Sequence, residues 1–198
     1  MEEVLDKLHL LEDPHSEYVL LRNLRNCFSL PKLSYALRTV DPAPHSSTLT
    51  CFDLLMRESL ERVFRAPLLD EEWSQAKLPV SLGGLGLRSA IAHAPGAYLV
   101  SLGESVSIRE DIRGKKEPVN GDKAVQLLSA QTGEEVDIKT VMVSTQKAFS
   151  YAVDLRSSQE LRDRLTGERD RARLNLVGLP RAGDWLNDAH IRALGLHL

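Results

Sequence analysis

The sequence is poor in cysteine and in aromatic residues. Only two cysteines occur among 198 residues, too few for the disulfide framework of a small secreted domain, and no CxxC pair suggests a zinc site. Cys27 and Cys51 lie in apolar helical patterns, so we expect buried free thiols in a reducing compartment. Aromatic residues make up 5% of the chain, so its core must be built mostly from Leu, Val and Ala.

The chain also lacks a strong charge of one sign and any long apolar run. A formal net charge of -3 gives no global attraction to nucleic acid or to an anionic membrane. The apolar runs are far shorter than the roughly 18 residues that indicate a membrane span. The first residues have neither the basic nor the apolar region of a signal peptide. These absences predict an intracellular chain with no membrane partner, and they do not separate a nuclear from a cytoplasmic location.

Motifs that identify enzymes are missing as well. The sequence contains no GxSxG, HExxH or DxDxDG motif, no Cys/His cluster and no Asp-Asp pair, and its six histidines are scattered. The acidic run at 70–72 fits the first turn of a helix, where carboxylates complement the helix dipole. We therefore predict no catalytic residue, no cofactor and no metal site in this chain.

Helical periodicity dominates what is present. Apolar residues recur at helix spacing over residues 2–12, 20–28 and 33–40, and again from Ser46 or Ser47 to about residue 65. The long helix has an apolar stripe of Leu49, Phe52, Met56, Leu60 and Val63. We predict a mainly α fold with a bundle-like N-terminal part, a glycine-rich connector and a second set of helices. The predicted domains are residues 1–66, 67–102, 103–137 (a polar linker with a short helix) and 138–198 (helices and an apolar tail).

The connector Leu82-Gly83-Gly84-Leu85-Gly86-Leu87 allows two interpretations. A glycine-rich turn before a helix can cradle phosphate with its backbone N–H groups. This turn, however, lacks the lysine and hydroxyl of the phosphate-binding loop motif. Alternating leucines and glycines instead favour a short extended piece that packs tightly against its neighbours.

A local basic stretch stands out in this weakly acidic chain. No acidic residue occurs between Glu17 and Asp41, whereas four basic residues do: Arg22, Arg25, Lys32 and Arg38. They form either a solvated helix face or a surface that contacts nucleic-acid phosphates without reading bases. We also form expectations for two other polar residues. His93 should be a helix-end or hydrogen-bonded histidine and not a metal ligand, and Asp53 should lie exposed on the long helix.

Several short blocks carry a resemblance to a known family. They are Leu11-Glu12-Asp13-Pro14-His15, Cys27-Phe28-Ser29-Leu30-Pro31-Lys32-Leu33, Phe52-Asp53 with Met56-Arg57-Glu58, Leu82-Gly83-Gly84-Leu85-Gly86-Leu87-Arg88, His93-Ala94-Pro95, and Gly183-Asp184-Trp185-Leu186-Asn187. In order and spacing they resemble the part of retrotransposon-encoded reverse transcriptases, especially non-LTR (LINE-like) elements, that follows the polymerase palm. The resemblance spans nearly the whole chain.

The resemblance implies a helical thumb-like region over about the first 65 residues, which in the parent enzyme leans on the template–primer duplex. Arg22, Arg25, Lys32 and Arg38 then become candidate contacts to the backbone of an RNA–DNA or DNA duplex. The family's turn with paired aspartates is absent together with the palm. The chain would thus be a non-catalytic remnant or excised portion of an RNA-directed DNA polymerase, with the missing palm as a further candidate partner.

Two other hypotheses remain open. Exposed leucines around the connector and in the tail could dock another protein or a second copy, which would make the chain a helical interaction or oligomerisation module. The glycine turn could instead belong to an enzyme that binds a nucleotide.

Overall fold

The computed structural model describes residues 16–115 and 121–186. Within these ranges helices are joined by turns, and no β-strand occurs. The prediction of a mainly α fold is therefore confirmed. The helix predicted at 2–12 and the tail from residue 187 onward lie outside the described residues.

The helices of the described ranges are labelled here in chain order. They are α1 (Ser16–Asn23), α2 (Leu30–Thr39), α3 (Ser46–Phe64), α4 (Asp70–Lys77), α5 (Ala90–Glu104), α6 (Val106–Arg113), α7 (Asp122–Thr132), α8 (Ile138–Val143), α9 (Gln146–Arg164) and α10 (Glu168–Val177). A π-helical turn, Leu24–Phe28, continues α1, and short 3-10 turns occupy Ala43–His45, Val80–Leu82 and Asp184–Leu186. Helices α6 and α7 both lie within residues 103–137, for which the sequence predicts a polar linker with one short helix.

Contacts in space divide the chain into two compact units. Unit 1 consists of Met1–Ser29, Leu55–Arg88 and Ser157–Leu198, and unit 2 consists of Leu30–Leu54 and Ser89–Arg156. Helices α3 and α9 each contribute residues to both units. The four domains predicted from the sequence are continuous ranges of residues, whereas each unit combines several segments. The division into four domains stays a prediction.

Helix α5 is the centre of unit 2. Its small side chains Ala90, Ala94 and Ala97 pack with Leu37 and Leu49 in one buried cluster. A second cluster contains other residues of α5 together with residues of α7, α8, α9 and the turn between α7 and α8: Ala92, Leu99, Val100, Ala124, Leu128, Val136, Val141, Phe149 and Val153. Because alanine and glycine let helix backbones approach closely, the small-residue sequence of α5 explains why this helix can be surrounded on several sides.

Unit 1 is held by an apolar cluster and by a polar clamp. Leu78, Leu161 and Leu174 are buried together. Elsewhere in unit 1, the Arg57 guanidinium donates hydrogen bonds to Asp70 at 2.8 Å and to Glu61 at 3.3 Å. The hydrogen bond with Asp70 is the largest of the effects that raise the pKa of Arg57 above its ordinary value, and burial opposes it. The clamp fixes the connection between α3 and α4.

The apolar stripe predicted for α3 is confirmed, with Met56, Leu60 and Val63 at 2%, 0% and 1% exposure. The prediction of buried cysteines is wrong, since both thiols are free and exposed. Cys51 follows Leu49 by two residues, about 200° around the helix, and so points away from the stripe. Cys27 lies in the π-helical turn, where Ser29 N–H donates to Leu24 C=O at 2.9 Å. This wider turn shifts residues out of the periodic α-helical register.

Candidate nucleic-acid interface

The four predicted phosphate contacts fall into different units. Arg22 and Arg25 belong to unit 1, and Lys32 and Arg38 belong to unit 2. They are therefore described separately below, one pair for each unit.

Arg25 already has a structural role in unit 1. Its Nη1 donates a hydrogen bond to the backbone carbonyl of Leu186 at 3.3 Å. Its Nε lies so close to the glycine turn that a Cβ on Gly86 would come within 2.9 Å of it. Arg22, one turn earlier in α1, is half-buried. A phosphate contact at Arg25 would have to compete with contacts that tie distant segments of unit 1 together.

The pair in unit 2 lies on the solvent side of α2. Leu37 is buried and Leu33 half-buried on the inner side of the helix, where they join the cluster around α5. Lys32 and Arg38 are both exposed, six residues apart, which corresponds to about 9 Å of helix rise. Between them, Tyr35 is 81% exposed. We call Lys32, Tyr35, Arg38 and Thr39 the outer face of α2.

Arg38 is engaged by one acidic neighbour from α5. Its Nη2 donates to Glu104 Oε2 at 2.8 Å, and the two side chains are 46% and 61% exposed. An ion pair this exposed stabilises a fold by no more than about 1 kcal/mol. A phosphate group can therefore exchange with Glu104 at little cost. Glu104 and Tyr35 were not singled out from the sequence, although Tyr35 lies one helical turn from each cation.

The glycine connector belongs to the packed interior of unit 1. All five backbone N–H groups of residues 83–87 donate to backbone carbonyls: Gly83 to Val80, Gly84 to Pro79, Leu85 and Leu87 to Ala76, and Gly86 to Leu78, at 2.8 to 3.2 Å. A phosphate cradle needs such groups to point at the ligand. The tight packing predicted for the connector is confirmed, but the predicted extended conformation is wrong: a 3-10 turn, Val80–Leu82, leads into it, and Gly83 and Gly86 have φ of +83° and +78°. The nucleotide-binding alternative loses the free N–H groups that would bind phosphate.

The leucines of the connector are not the exposed surface that the interaction hypothesis expected. Leu78 and Leu87 are each 1% exposed, and Leu82 is packed against the unit 1 cluster. Of the tail leucines, Leu179 is 56% exposed and Leu186 is buried at 7% exposure, and those beyond residue 186 lie outside the described residues. Exposed apolar side chains occur instead on α6, where Ile108 and Ile112 are 61% and 80% exposed.

Unit 1 also contains a cleft of about 410 Å³. It is lined by Leu69, Glu71, Glu72, Gln75, Leu161, Arg164, Leu165, Thr166, Asp170 and Arg173. Glu72 caps the first turn of α4 by accepting from the Leu69 N–H at 2.8 Å. Arg164 donates to Ser74 at 3.0 Å, and Arg173 lies 3.7 Å from Asp170. Three of the charged side chains that line the cleft, Glu72, Arg164 and Arg173, thus already have partners within unit 1.

Across residues 16–115 and 121–186, no three His, Cys, Asp or Glu side chains gather to hold a metal ion.

The acid at position 53 has a role that the sequence did not reveal. Asp53 is half-buried, not exposed as expected, and it accepts a hydrogen bond from the Ala90 N–H at 2.7 Å. The Ser89 hydroxyl also donates to this carboxylate, and Ser89 Oγ in turn accepts from the Ala92 N–H at 3.3 Å. Asp53 and Ser89 together cap the N-terminus of α5, the central helix of unit 2.

Asp53→Ala should lower the free energy of unfolding by about 2 kcal/mol, because it removes a charged acceptor from the first turn of α5. Urea denaturation followed by circular dichroism measures this change. Glu58→Ala is the matched control: Glu58 is exposed on the same helix, so its replacement should change stability by less than about 0.5 kcal/mol. Equal effects of the two substitutions would contradict the capping role.

His93 is hydrogen-bonded within unit 2, as expected. Its Nδ1 lies 2.9 Å from the Ser89 carbonyl oxygen, and its Nε2 lies 3.2 Å from Asp154 Oδ1. Both side chains are buried, at 8% and 2% exposure. Each ring nitrogen therefore has a partner inside the fold, which leaves the ring as a structural connection between α5 and α9.

Comparisons with protein-family models, curated proteins and solved structures found no match to this chain. The resemblance to the region after a retroelement palm thus stays a prediction. In the part of the chain that the structure describes, no helix combines the length and apolar character needed to cross a bilayer.

Proposed function

We propose that this chain is a non-catalytic helical segment, similar to the thumb and downstream connection of a retroelement reverse transcriptase, that binds nucleic-acid backbone weakly. The observation that supports the proposal best is the outer face of α2. Lys32 and Arg38 are exposed there, while the apolar side of the same helix packs into unit 2. Cations presented in this way contact phosphates without reading sequence.

The proposed contacts are limited to the exposed cations of α2, since Arg22 is half-buried and Arg25 is already engaged within unit 1. A surface with two cations should bind with the low affinity of non-specific complexes, with a Kd of about 10⁻⁴ to 10⁻⁶ M. The logarithm of affinity falls linearly with the logarithm of salt concentration. Each phosphate contact steepens this slope by roughly 0.9. Salt dependence therefore reports how many contacts are made.

Fluorescence anisotropy with a labelled duplex, titrated at several salt concentrations, tests the proposal. Lys32→Ala should weaken binding at low salt and reduce the salt slope by roughly one contact. Lys123→Ala provides the matched control, because Lys123 is also an exposed lysine of unit 2 but lies on α7. The absence of binding at low salt, or equal losses in both variants, would refute the proposed surface.

Glu104→Gln should tighten duplex binding by about two- to fivefold at low salt, because it releases Arg38 from its exposed ion pair. The same change in an Arg38→Ala background should have little effect. A gain that survives in that background would show that Glu104 acts by general repulsion and would count against Arg38 as a phosphate contact.

A second candidate function is a helical oligomerisation module. It is favoured by Ile108 and Ile112, which are exposed one turn apart on α6. Size-exclusion chromatography with light scattering tests it: a chain that stays monomeric at high concentration, with and without Ile112→Glu, removes this candidate.

A further inference from the structure

The most exposed large apolar side chain of the described ranges belongs to the outer face of α2. Tyr35 is 81% exposed, and residues of this size usually bury most of their surface. It has a cation three residues before it, Lys32, and another three residues after it, Arg38. On a helix, residues three apart are neighbours, so the ring lies between two positive charges.

The side chains next to Tyr35 leave its ring accessible. Ala36 is exposed and small. Thr39, one turn later, is turned toward the helix, because its hydroxyl donates to the Tyr35 carbonyl oxygen at 2.9 Å. Helical side chains lean toward the N-terminus, which directs the tyrosine ring toward the turn that carries Lys32. A planar aromatic group can therefore stack on the Tyr35 ring while an anion attached to that group contacts Lys32.

Nucleic acid offers such a combination only where its bases are unstacked. In a duplex the base faces are covered by neighbouring base pairs, and a convex helix meets phosphates and groove edges. A single strand presents π-faces next to phosphates. Proteins that bind single strands without sequence preference use aromatic rings on which bases stack, together with cations that follow the backbone.

We infer that the outer face of α2 binds single-stranded nucleic acid, with a base stacked on Tyr35 and adjoining phosphates held by Lys32 and Arg38. This inference rests on the proposed function and specifies its ligand. Recognition by stacking tolerates any base, since every base has a π-face. The phosphate contacts add salt dependence, and Glu104 competes with phosphate for Arg38.

Anisotropy measurements on the full chain at about 50 mM salt test the inference with three labelled probes. The probes are an oligothymidylate of about twelve nucleotides, an abasic strand of the same length and a duplex of the same length. Tyr35→Ala should weaken oligothymidylate binding by about tenfold and leave abasic and duplex binding unchanged. Tyr35→Phe should retain the wild-type affinity, because stacking needs the ring and not the hydroxyl.

Tyr151→Ala is the matched control. Tyr151 is 57% exposed in unit 2. Lys147 lies one turn before it, but the positions one turn after it are Asp154 and Leu155, so the ring does not lie between two cations. Its replacement should leave all three affinities unchanged. Equal binding of the thymidylate and abasic strands by the unmodified chain would overturn the stacking inference while leaving backbone binding in place. Failure to bind any of the probes would overturn the proposed function and the inference together.

Discussion

Asp154→Ala should lower the free energy of unfolding by about 3–5 kcal/mol, the cost of breaking a buried pair by removing one partner. Asp154 is 2% exposed, and its Oδ1 lies 3.2 Å from His93 Nε2. Without the carboxylate, the imidazole keeps its contact with the Ser89 carbonyl but loses the partner on its other nitrogen. A polar nitrogen left unpaired in the core of unit 2 is the main source of the loss.

A conservative substitution separates the lost hydrogen bond from the lost packing. An amide offers both a donor and an acceptor to His93 Nε2, which lies 3.2 Å from Asp154 Oδ1. Asp154→Asn can restore a hydrogen bond through its amide and should cost less than Asp154→Ala.

Chemical denaturation followed by circular dichroism measures these differences. Asp163→Ala is a suitable control, because Asp163 lies on the same helix but is exposed, with a hydrogen bond from Gln159 at 2.9 Å. Its replacement should change stability by less than about 0.5 kcal/mol. If Asp154→Ala were as mild as Asp163→Ala, the buried pair would not be important for stability.

The sequence predicted the helices well because helical periodicity is local. The stripe of α3 could be read from spacing alone. Asp154 shows where this reasoning ends. It begins a run of alternating charges that is typical of a solvated helix, yet its partner His93 lies 61 residues earlier in the chain. Charge spacing within one helix cannot show which carboxylate meets a buried imidazole on another.

The candidate site shows the same limit. Counting charges identified the basic stretch, but not which of its cations are engaged by the fold. Arg25 contacts Leu186, 161 residues away, and Arg38 contacts Glu104, 66 residues away. Such pairings depend on tertiary structure. The exposure of Tyr35, in contrast, can be predicted from a helical wheel of α2, since Tyr35 lies on the side opposite Leu37 and next to Lys32.

Gly84→Ala should destabilise unit 1 by about 3 kcal/mol or more, because the added methyl group would overlap with backbone. A Cβ at this position would clash with the Leu78 carbonyl oxygen and lie 2.5 Å from that of Gln75. Backbone atoms cannot move aside as the end of a flexible side chain can. The same residue donates its N–H to Pro79 at 3.1 Å, so a shift of the turn would also strain that hydrogen bond.

Gly114→Ala separates this steric effect from the ordinary cost of replacing a glycine. Gly114 ends α6 with φ = +66°, and a Cβ there would meet nothing within 4 Å. Its replacement should cost only about 1 kcal/mol, from the left-handed backbone. Thermal and urea unfolding without any ligand should therefore show Gly84→Ala to be much the more damaging change. A phosphate-binding turn predicts the reverse pattern, with Gly84→Ala nearly neutral in the free chain and harmful only to stabilisation by added nucleotide. The backbone hydrogen bonds of residues 83–87 favour the first outcome, since a turn whose N–H groups are all used internally contributes to the fold itself.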